Sequence, residues 1–232
     1  MAPRQIRQFL VCLVGLSFSG ASAVCAAAQL DTAADAVLGA PSLTVLGTSA
    51  PDATGINVPR GLAEDPVTGA LWVVDSGFHR VLRYSSAAAF ANGEAANLVL
   101  GAANFIGNVA PNRGGLVVAN TLSSPYGVAV DQAGRVYVVD QGNNRILVYR
   151  PPLSNGMDAT WVIGQPDFTV NAVNRGGAIA SNTLSSPFGI ALDTFLDRRN
   201  AYMFLVNPKG AVKEAQDFDD SRQENAAWEG IF

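Results

Sequence analysis

Cysteine and histidine are scarce in this chain of 232 residues. The two cysteines, Cys12 and Cys25, both lie within the first 28 residues, and His79 is the only histidine. If those 28 residues are removed on export, the mature chain contains no cysteine. A disulfide-stabilised scaffold is then excluded, so the fold must be stabilised by its hydrophobic core.

Lysine is also scarce, and none occurs before Lys209. The formal net charge is −4 and the isoelectric point is about 4.9. Arginine and lysine form no dense run, so the sequence offers no electrostatic surface for DNA or RNA. Nucleic acid is therefore not expected as a partner. Hydrophobic residues make up 49% of the chain, which is long enough to bury the core of one or two domains.

Residues 1–28 have the pattern of a secretory signal peptide. Arg4 and Arg7 precede the apolar run Phe9–Phe18, and small residues lead to an A-x-A site with cleavage predicted after Ala28. A lipoprotein signal ending at Cys25 and an uncleaved membrane anchor are the alternatives. The pattern predicts export to the periplasm, the extracellular space or the cell surface. A linker is predicted over residues 29–42.

Three stretches of the chain repeat one another. The segments Pro59–Asp65, Pro125–Asp131 and Pro187–Asp193 align, each with glycine as its third residue. ALWVVDSGFHRVLRY at 70–84 matches RVYVVDQGNNRILVY at 135–149. Internal repeats at such spacing indicate a structural array or a propeller.

Each repeat unit predicts four short strands, because β-branched and aromatic residues alternate with turns rich in Gly, Asn and Asp. Four antiparallel strands per unit, repeated radially, form the blade of a β-propeller, so the predicted class is all-β. The four strands expected in the second unit are Gly127–Asp131, Val136–Asp140, Arg145–Arg150 and Thr160–Gly164.

The run P-x-G-V-A-V-D followed by V-Y-V-V-D-x-G-N-N-R-I-L-V-Y resembles the NHL repeat family over residues 43–193. The resemblance implies a propeller that uses its face to bind proteins or small ligands, and the scarcity of candidate catalytic groups predicts a non-enzymatic protein. It does not indicate which ligand. N-R-G-G recurs in the long loops 101–125 and 164–187, where it predicts either a shared structural turn or a ligand-binding loop.

The number of blades is too small to close a ring. Two complete units are predicted, over residues 61–101 and 127–164, with a lone outer strand at Thr44–Gly47 and a lone inner strand at Gly189–Asp193. Closed propellers have about four to eight blades. The prediction is therefore an incomplete propeller with open sheet faces and strand edges, which would self-associate to complete a ring or aggregate.

The composition changes after Asp193. Of the last 39 residues 12 are charged, against 22 of the first 193. Within this tail, Asp197–Ala211 and Asn225–Gly230 are similar to part of a carbohydrate-binding module family 9-like domain. Residues 194–232 are then a fragment of that domain, and the chain is a hybrid joined near Leu192–Phe195 or a truncated product. The alternative is a divergent last blade with a charged extension.

Candidate catalytic groups are few, and the sequence assigns no catalytic, cofactor-binding or metal-binding residue. His79 aligns with Asn144 of the second unit, so a turn residue is expected there. The other functions considered are a surface carbohydrate-binding protein and a propeller lyase. A zinc-dependent lyase would need several histidines, which this chain lacks.

Several polar and aromatic residues allow two interpretations each. Asp75 with Arg80, and Asp140 with Arg145, could grip an anion or hold their own hairpins. Other residues with two interpretations are Asp65, Asp131 and Asp193 (a calcium ring or strand ends), Glu214, Asp217, Asp219, Asp220 and Glu224 (a cation site or a solvated loop) and Trp228 (a sugar platform or core). For Trp161 only sheet packing is expected.

Overall fold

The computed structural model describes residues 34–45, 47, 50–107 and 110–193, together with the backbone of two strands, 202–206 and 212–215. The predicted signal peptide, the first part of the linker and most of the tail lie outside these residues. The carbohydrate-binding-like motifs, the acidic cluster and Trp228 therefore stay predictions.

The described residues form eleven strands in three antiparallel sheets and no α-helix. The strands are β1 Pro59–Glu64, β2 Leu71–Asp75, β3 Arg80–Tyr84, β4 Leu98–Leu100, β5 Val128–Val130, β6 Val136–Asp140, β7 Arg145–Tyr149, β8 Trp161–Ile163, β9 Gly189–Asp193, β10 Tyr202–Val206 and β11 Val212–Ala215. Short 3₁₀ turns occur at Ser76–Phe78, Pro111–Gly114, Gln141–Asn143 and Val173–Gly176.

Two of the sheets are the predicted blades. Blade 1 has the order β1-β2-β3-β4 and blade 2 the order β5-β6-β7-β8. Their central hairpins share one register, since Asp75 faces Arg80 as Asp140 faces Arg145. All four strands predicted in the second unit are confirmed, with ends that differ by at most one residue. The chain is thus an all-β protein with propeller-type blades.

Alternating side chains explain how the blades pack, because successive residues of a strand point to opposite faces. Trp72 and Val74 of β2 pack with Val128 and Val138 of blade 2 in one buried cluster. Val73, between them, belongs to a second cluster on the other face of blade 1. Both faces of each central strand are therefore buried, which explains their nearly continuous hydrophobic sequence.

The other faces of the two blades are covered rather than open. Leu38, Ile56 and Phe105 pack against the second cluster of blade 1. Ile190 and Leu192 of β9 pack against the corresponding cluster of blade 2. The expectation of open apolar faces is not met here. The exposed edge is β1, where the side chain of Leu62 is 67% accessible.

The lone outer strand predicted at Thr44–Gly47 is wrong. Ser42 and Val45 form an isolated bridge across a tight turn, with the Val45 amide donating to the Ser42 carbonyl at 3.3 Å. Thr44 lies in that turn, and Gly47 is in no strand. A stretch this short requires a neighbouring strand to hold it extended, and the described residues supply none beside it.

The strand Gly189–Asp193 is confirmed, but it is not alone. It pairs with β10, which pairs with β11, in the order β9-β10-β11. The aromatic and branched residues of Tyr202–Val206 favour a strand even though the surrounding composition is charged. The backbone thus continues with the first three strands expected of a blade, and the origin of the tail stays open.

Candidate functional site

The first strands of the three sheets approach one another closely at their glycines. A Cβ atom placed on Gly61 would lie 2.8 Å from the carbonyl oxygen of Tyr126, and one on Gly127 would lie 3.1 Å from that of Phe188. A side chain at Gly61 would therefore collide with backbone that has no room to move. In each P-x-G segment, the residue between the proline and the glycine is thereby held beside the equivalent residue of the next sheet.

The middle residues Arg60, Tyr126 and Phe188 form a contiguous cluster, here called the rim. The guanidinium carbon of Arg60 lies 4.8 Å from the Tyr126 ring centroid, and Arg60 Nη1 donates to Tyr126 Oη at 3.2 Å. The Tyr126 and Phe188 centroids are 4.6 Å apart with the rings at 89°. Arg60 is exposed and both rings are half-buried. This is a stacked cation followed by an edge-to-face aromatic pair.

The Asp75–Arg80 pair is a buried structural network and does not reach a ligand. Arg80 Nε donates to Asp75 Oδ2 at 2.8 Å, and its other nitrogens donate to the carbonyls of Phe105 and Gly55 at 2.6 and 2.8 Å. The amide of Asn57 donates to Asp75 Oδ1 at 2.8 Å. Asp75 is 0% and Arg80 1% accessible. The structural interpretation of this pair is confirmed.

Blade 2 builds the same network with different residues. Arg145 Nε donates to Asp140 Oδ2 at 2.7 Å, and Nη1 and Nη2 donate to the carbonyls of Phe168 and Thr121 at 2.6 and 2.8 Å. The Ser123 amide donates to Asp140 Oδ1 at 2.7 Å. Burial raises the pKa of the Asp140 carboxyl, and the Arg145 guanidinium opposes that rise.

His79 and Asn144 end the central turns of the two blades in one conformation. Both have φ 53° and ψ 42°, in the left-handed region. His79 Nδ1 accepts a hydrogen bond from the Ser124 amide at 2.9 Å, and Asn144 Oδ1 accepts one from the Ser186 amide at 2.7 Å. The expected turn role of His79 is confirmed. These two bonds, which tie each blade to the following inner segment, are called the latches.

The latch of blade 1 requires a neutral imidazole, because a nitrogen that accepts a hydrogen bond carries no proton. Neutral His79 then has its proton on Nε2. Burial lowers the pKa of His79 below its ordinary value of 6.5, which is consistent with this neutral form.

The recurrent N-R-G-G segments are structural turns. Asn112 and Arg113 are left-handed, with φ 51° and 55°, as are Asn174 and Arg175, with φ 49° and 56°. Arg113 donates to the carbonyls of Gly101 at 3.1 Å and Asn120 at 2.7 Å. The side chain thus closes its own loop, which supports the first of the two interpretations.

The carboxylates at the ends of the first strands serve their own turns. Asp65 accepts from the hydroxyl of Thr68 at 2.6 Å. Asp131 accepts from Arg135 Nε and from Tyr137 Oη, the latter at 3.1 Å. Both are buried, and the side chain of Asp193 lies outside the described residues. In the described part of the chain, no group of three metal-ligating residues is close enough to hold an ion.

Trp161 packs, half-buried, against the hydrophobic cluster of blade 2, as expected for sheet packing. The rim was not singled out from the sequence, because its residue is different in every copy. The signal that could have found it is the fixed frame, proline before and glycine after, around a varying position. None of the helical segments described could cross a membrane.

The NHL repeat family matches residues 122–149. No curated protein matches the sequence significantly. Among solved structures, the chain is similar to a luciferin-regenerating enzyme (TM-score 0.38, 15% identity, 65% of this chain and 38% of that one) and to a nidogen/laminin complex (0.38, 20%, 70% and 46%). It is also similar to a streptogramin B lyase (0.35, 12%, 75% and 44%). The chain spans less than half the length of each. Residues 122–149 are thus an NHL repeat, and they lie in an all-β chain of four-stranded blades.

Proposed function

We propose that this protein is an exported, non-enzymatic binding module of the NHL-repeat propeller type, and that the rim is its contact surface. The observation that carries the proposal is the convergence of Arg60, Tyr126 and Phe188. Three equivalent positions in successive repeats place a cation and two aromatic rings side by side, partly exposed. Arginine and tyrosine are the residue types that dominate binding surfaces.

The other striking polar side chains of the two blades are already engaged inside the protein. Asp75, Asp140 and their arginines are buried and hydrogen-bonded, and Asp65 and Asp131 cap turns. These side chains are therefore not available to a ligand, whereas the rim is partly exposed. Export is supported by the charged start, apolar run and A-x-A site of residues 1–28.

The test is a ligand-observed NMR screen of a small-molecule library against the purified chain. We expect compounds whose binding is lost in the triple variant Arg60→Ala, Tyr126→Ala, Phe188→Ala. The matched control is Leu116→Ala, which removes an apolar side chain that is 82% accessible on a loop. The proposal fails if the triple variant, shown by circular dichroism to be folded, retains every hit.

Export is tested separately. When the full gene is expressed in a bacterial host, we expect the secreted protein to begin at Gln29 by intact-mass measurement. A product that retains residues 1–28, or one that begins with a lipidated Cys25, would contradict this part of the proposal.

Carbohydrate binding by the tail is the second candidate, favoured by the Asn225–Gly230 motif in the sequence. Trp228→Ala should then abolish retention on a polysaccharide column while leaving the rim hits intact. Completion of the ring by further copies of the chain is also a proposal. Light scattering after gel filtration should give a dimer or trimer, and a sharp monomer would contradict it.

A further inference from the structure

The positive charge of Arg60 has no carboxylate to balance it among the described residues. The ion pairs of that part of the chain are Asp75–Arg80, Asp131–Arg135 and Asp140–Arg145. The one hydrogen bond that Arg60 makes there is with the neutral hydroxyl of Tyr126. An exposed guanidinium with its remaining donors available is suited to accept an anion from solution.

The contact with Tyr126 also orients the guanidinium. The group lies 4.8 Å from the ring centroid and is held at the ring's edge by the 3.2 Å hydrogen bond. An arginine stacked in this way loses less rotamer freedom when it binds a carboxylate through two parallel N–H···O bonds. The preferred anion is therefore planar and two-pronged, as a carboxylate is.

The surface beside that charge is aromatic. Tyr126 and Phe188 meet edge to face, and the neighbouring inner-strand positions are Gly61 and Gly127, which have no side chain. A planar ring can pack against such a pair with the geometry that aromatic groups prefer.

The other charges of the chain do not favour a ligand with many negative groups. Glu64 is exposed on the same strand as Arg60, and the whole chain has a net charge of −4. These negative charges would repel a polyanion, whereas Arg60 would hold a single carboxylate. A neutral sugar would leave the guanidinium unpaired.

We infer that the rim binds a small organic acid in which one carboxylate is attached to a flat apolar body. This inference rests on the proposed function and specifies its ligand class. The carboxylate pairs with Arg60, and the ring packs on Tyr126 and Phe188. No bond is made or broken.

The test uses 2-naphthoate and its neutral isostere 2-naphthamide as probes, with affinities measured by NMR titration of the full chain. We expect naphthoate to bind at least about tenfold more tightly than the amide, because a hydrogen bond between two charged groups is stronger than one to a neutral group. Arg60→Gln should remove this preference, and Phe188→Leu should weaken both probes. Leu116→Ala should change neither.

Equal binding of the two probes, or an unchanged preference in Arg60→Gln, would overturn the inference. The library screen distinguishes this failure from failure of the proposed function. If hits depend on the rim but are not acids, the ligand class is wrong and the binding face stands. If no hit depends on the rim, both are wrong. Arg60 is exposed, so its variant should fold, and an unchanged melting temperature checks this.

Discussion

Blade 1 and blade 2 keep the same buried framework, but the first hairpin and the latch are built from different residues. Both pair an aspartate at the end of the second strand with an arginine at the start of the third. At the first hairpin, however, Asp65 is held by a threonine where Asp131 is held by an arginine and a tyrosine. At the latch, His79 replaces Asn144. The two latch residues, at equivalent positions, therefore make equivalent hydrogen bonds in the two blades, although the residue types differ.

The largest effect is expected where the blades agree. Arg80→Met and Arg145→Met should each lower the free energy of unfolding by about 3–5 kcal/mol, because each leaves a carboxylate buried without its partner. The measurement is urea denaturation. Arg83→Met is the control, since Arg83 is less buried and contacts the Trp72 ring at 5.9 Å.

If the two arginine variants differ by more than about 2 kcal/mol, the blades are not equivalent in energy despite their common geometry. Should either variant fail to fold, the double changes Asp75→Asn, Arg80→Met and Asp140→Asn, Arg145→Met remove both charges and should recover part of the loss.

The next effect separates the blades at the first hairpin. Asp131→Asn should cost about 3 kcal/mol, because it removes the carboxylate charge that the buried Arg135 Nε contacts. Asp65→Asn should cost about 1 kcal/mol, since it removes no ion pair and weakens only the hydrogen bonds from the Thr68 hydroxyl and from the amides of Val67 and Thr68. Chemical denaturation of the two variants in parallel measures the difference. Equal losses would show that the Asp131–Arg135 pair contributes nothing beyond the turn itself.

The latches should differ in their response to pH. The pKa of His79 is lowered in the folded state, so the unfolded chain binds more protons below about pH 6.5. The contribution of the latch is therefore complete above that pH and is lost as the pH falls through the folded pKa. Because a protonated imidazole cannot accept from the Ser124 amide, about 1 kcal/mol should disappear.

Thermal melts of the wild type and of His79→Asn between pH 8 and 5 measure this loss. The variant should lack it, because asparagine makes the equivalent bond in blade 2 and does not titrate. Asn144→His should install a second pH-dependent latch. Parallel pH curves for the wild type and His79→Asn would contradict the interpretation.

The smallest effect concerns Tyr84 and Tyr149, which occupy equivalent positions. Their hydroxyls are buried and have no hydrogen-bond partner among the described residues, and burial raises the pKa of both. Tyr84→Phe and Tyr149→Phe should be neutral or should stabilise by up to about 1 kcal/mol. Tyr137→Phe, which loses a bond to Asp131, should instead destabilise by about 1 kcal/mol in the same denaturation experiment. Destabilisation of equal size in all three would contradict this.

The sequence predicted what the two copies share. The four strands of the second unit, the turn role of His79 and the Asp–Arg network follow from residues that recur at fixed spacing. The rim does not, because Arg60, Tyr126 and Phe188 share neither size nor charge. Their common property is a place in the fold, which becomes visible only when the glycines bring the inner strands together.

The two wrong expectations have a different cause. The sequence of Thr44–Gly47 is similar to that of an outer strand, but strand formation depends on a neighbouring strand that a short motif does not specify. Gly189–Asp193 was expected to be alone because the charge rises after it, yet local β-propensity at Tyr202–Val206 prevailed over composition.

The close approach at Gly61 and Gly127 has a consequence for how such a protein changes over time. The glycine holds the close approach of the backbones, so the residue before it need not be the same in every copy, and it is Arg60, Tyr126 and Phe188 in turn. Each blade then presents one variable residue beside the variable residue of the neighbouring blade. Duplicating a blade adds one such residue to the surface, and a single codon change replaces one of them, while the backbone that presents them stays the same.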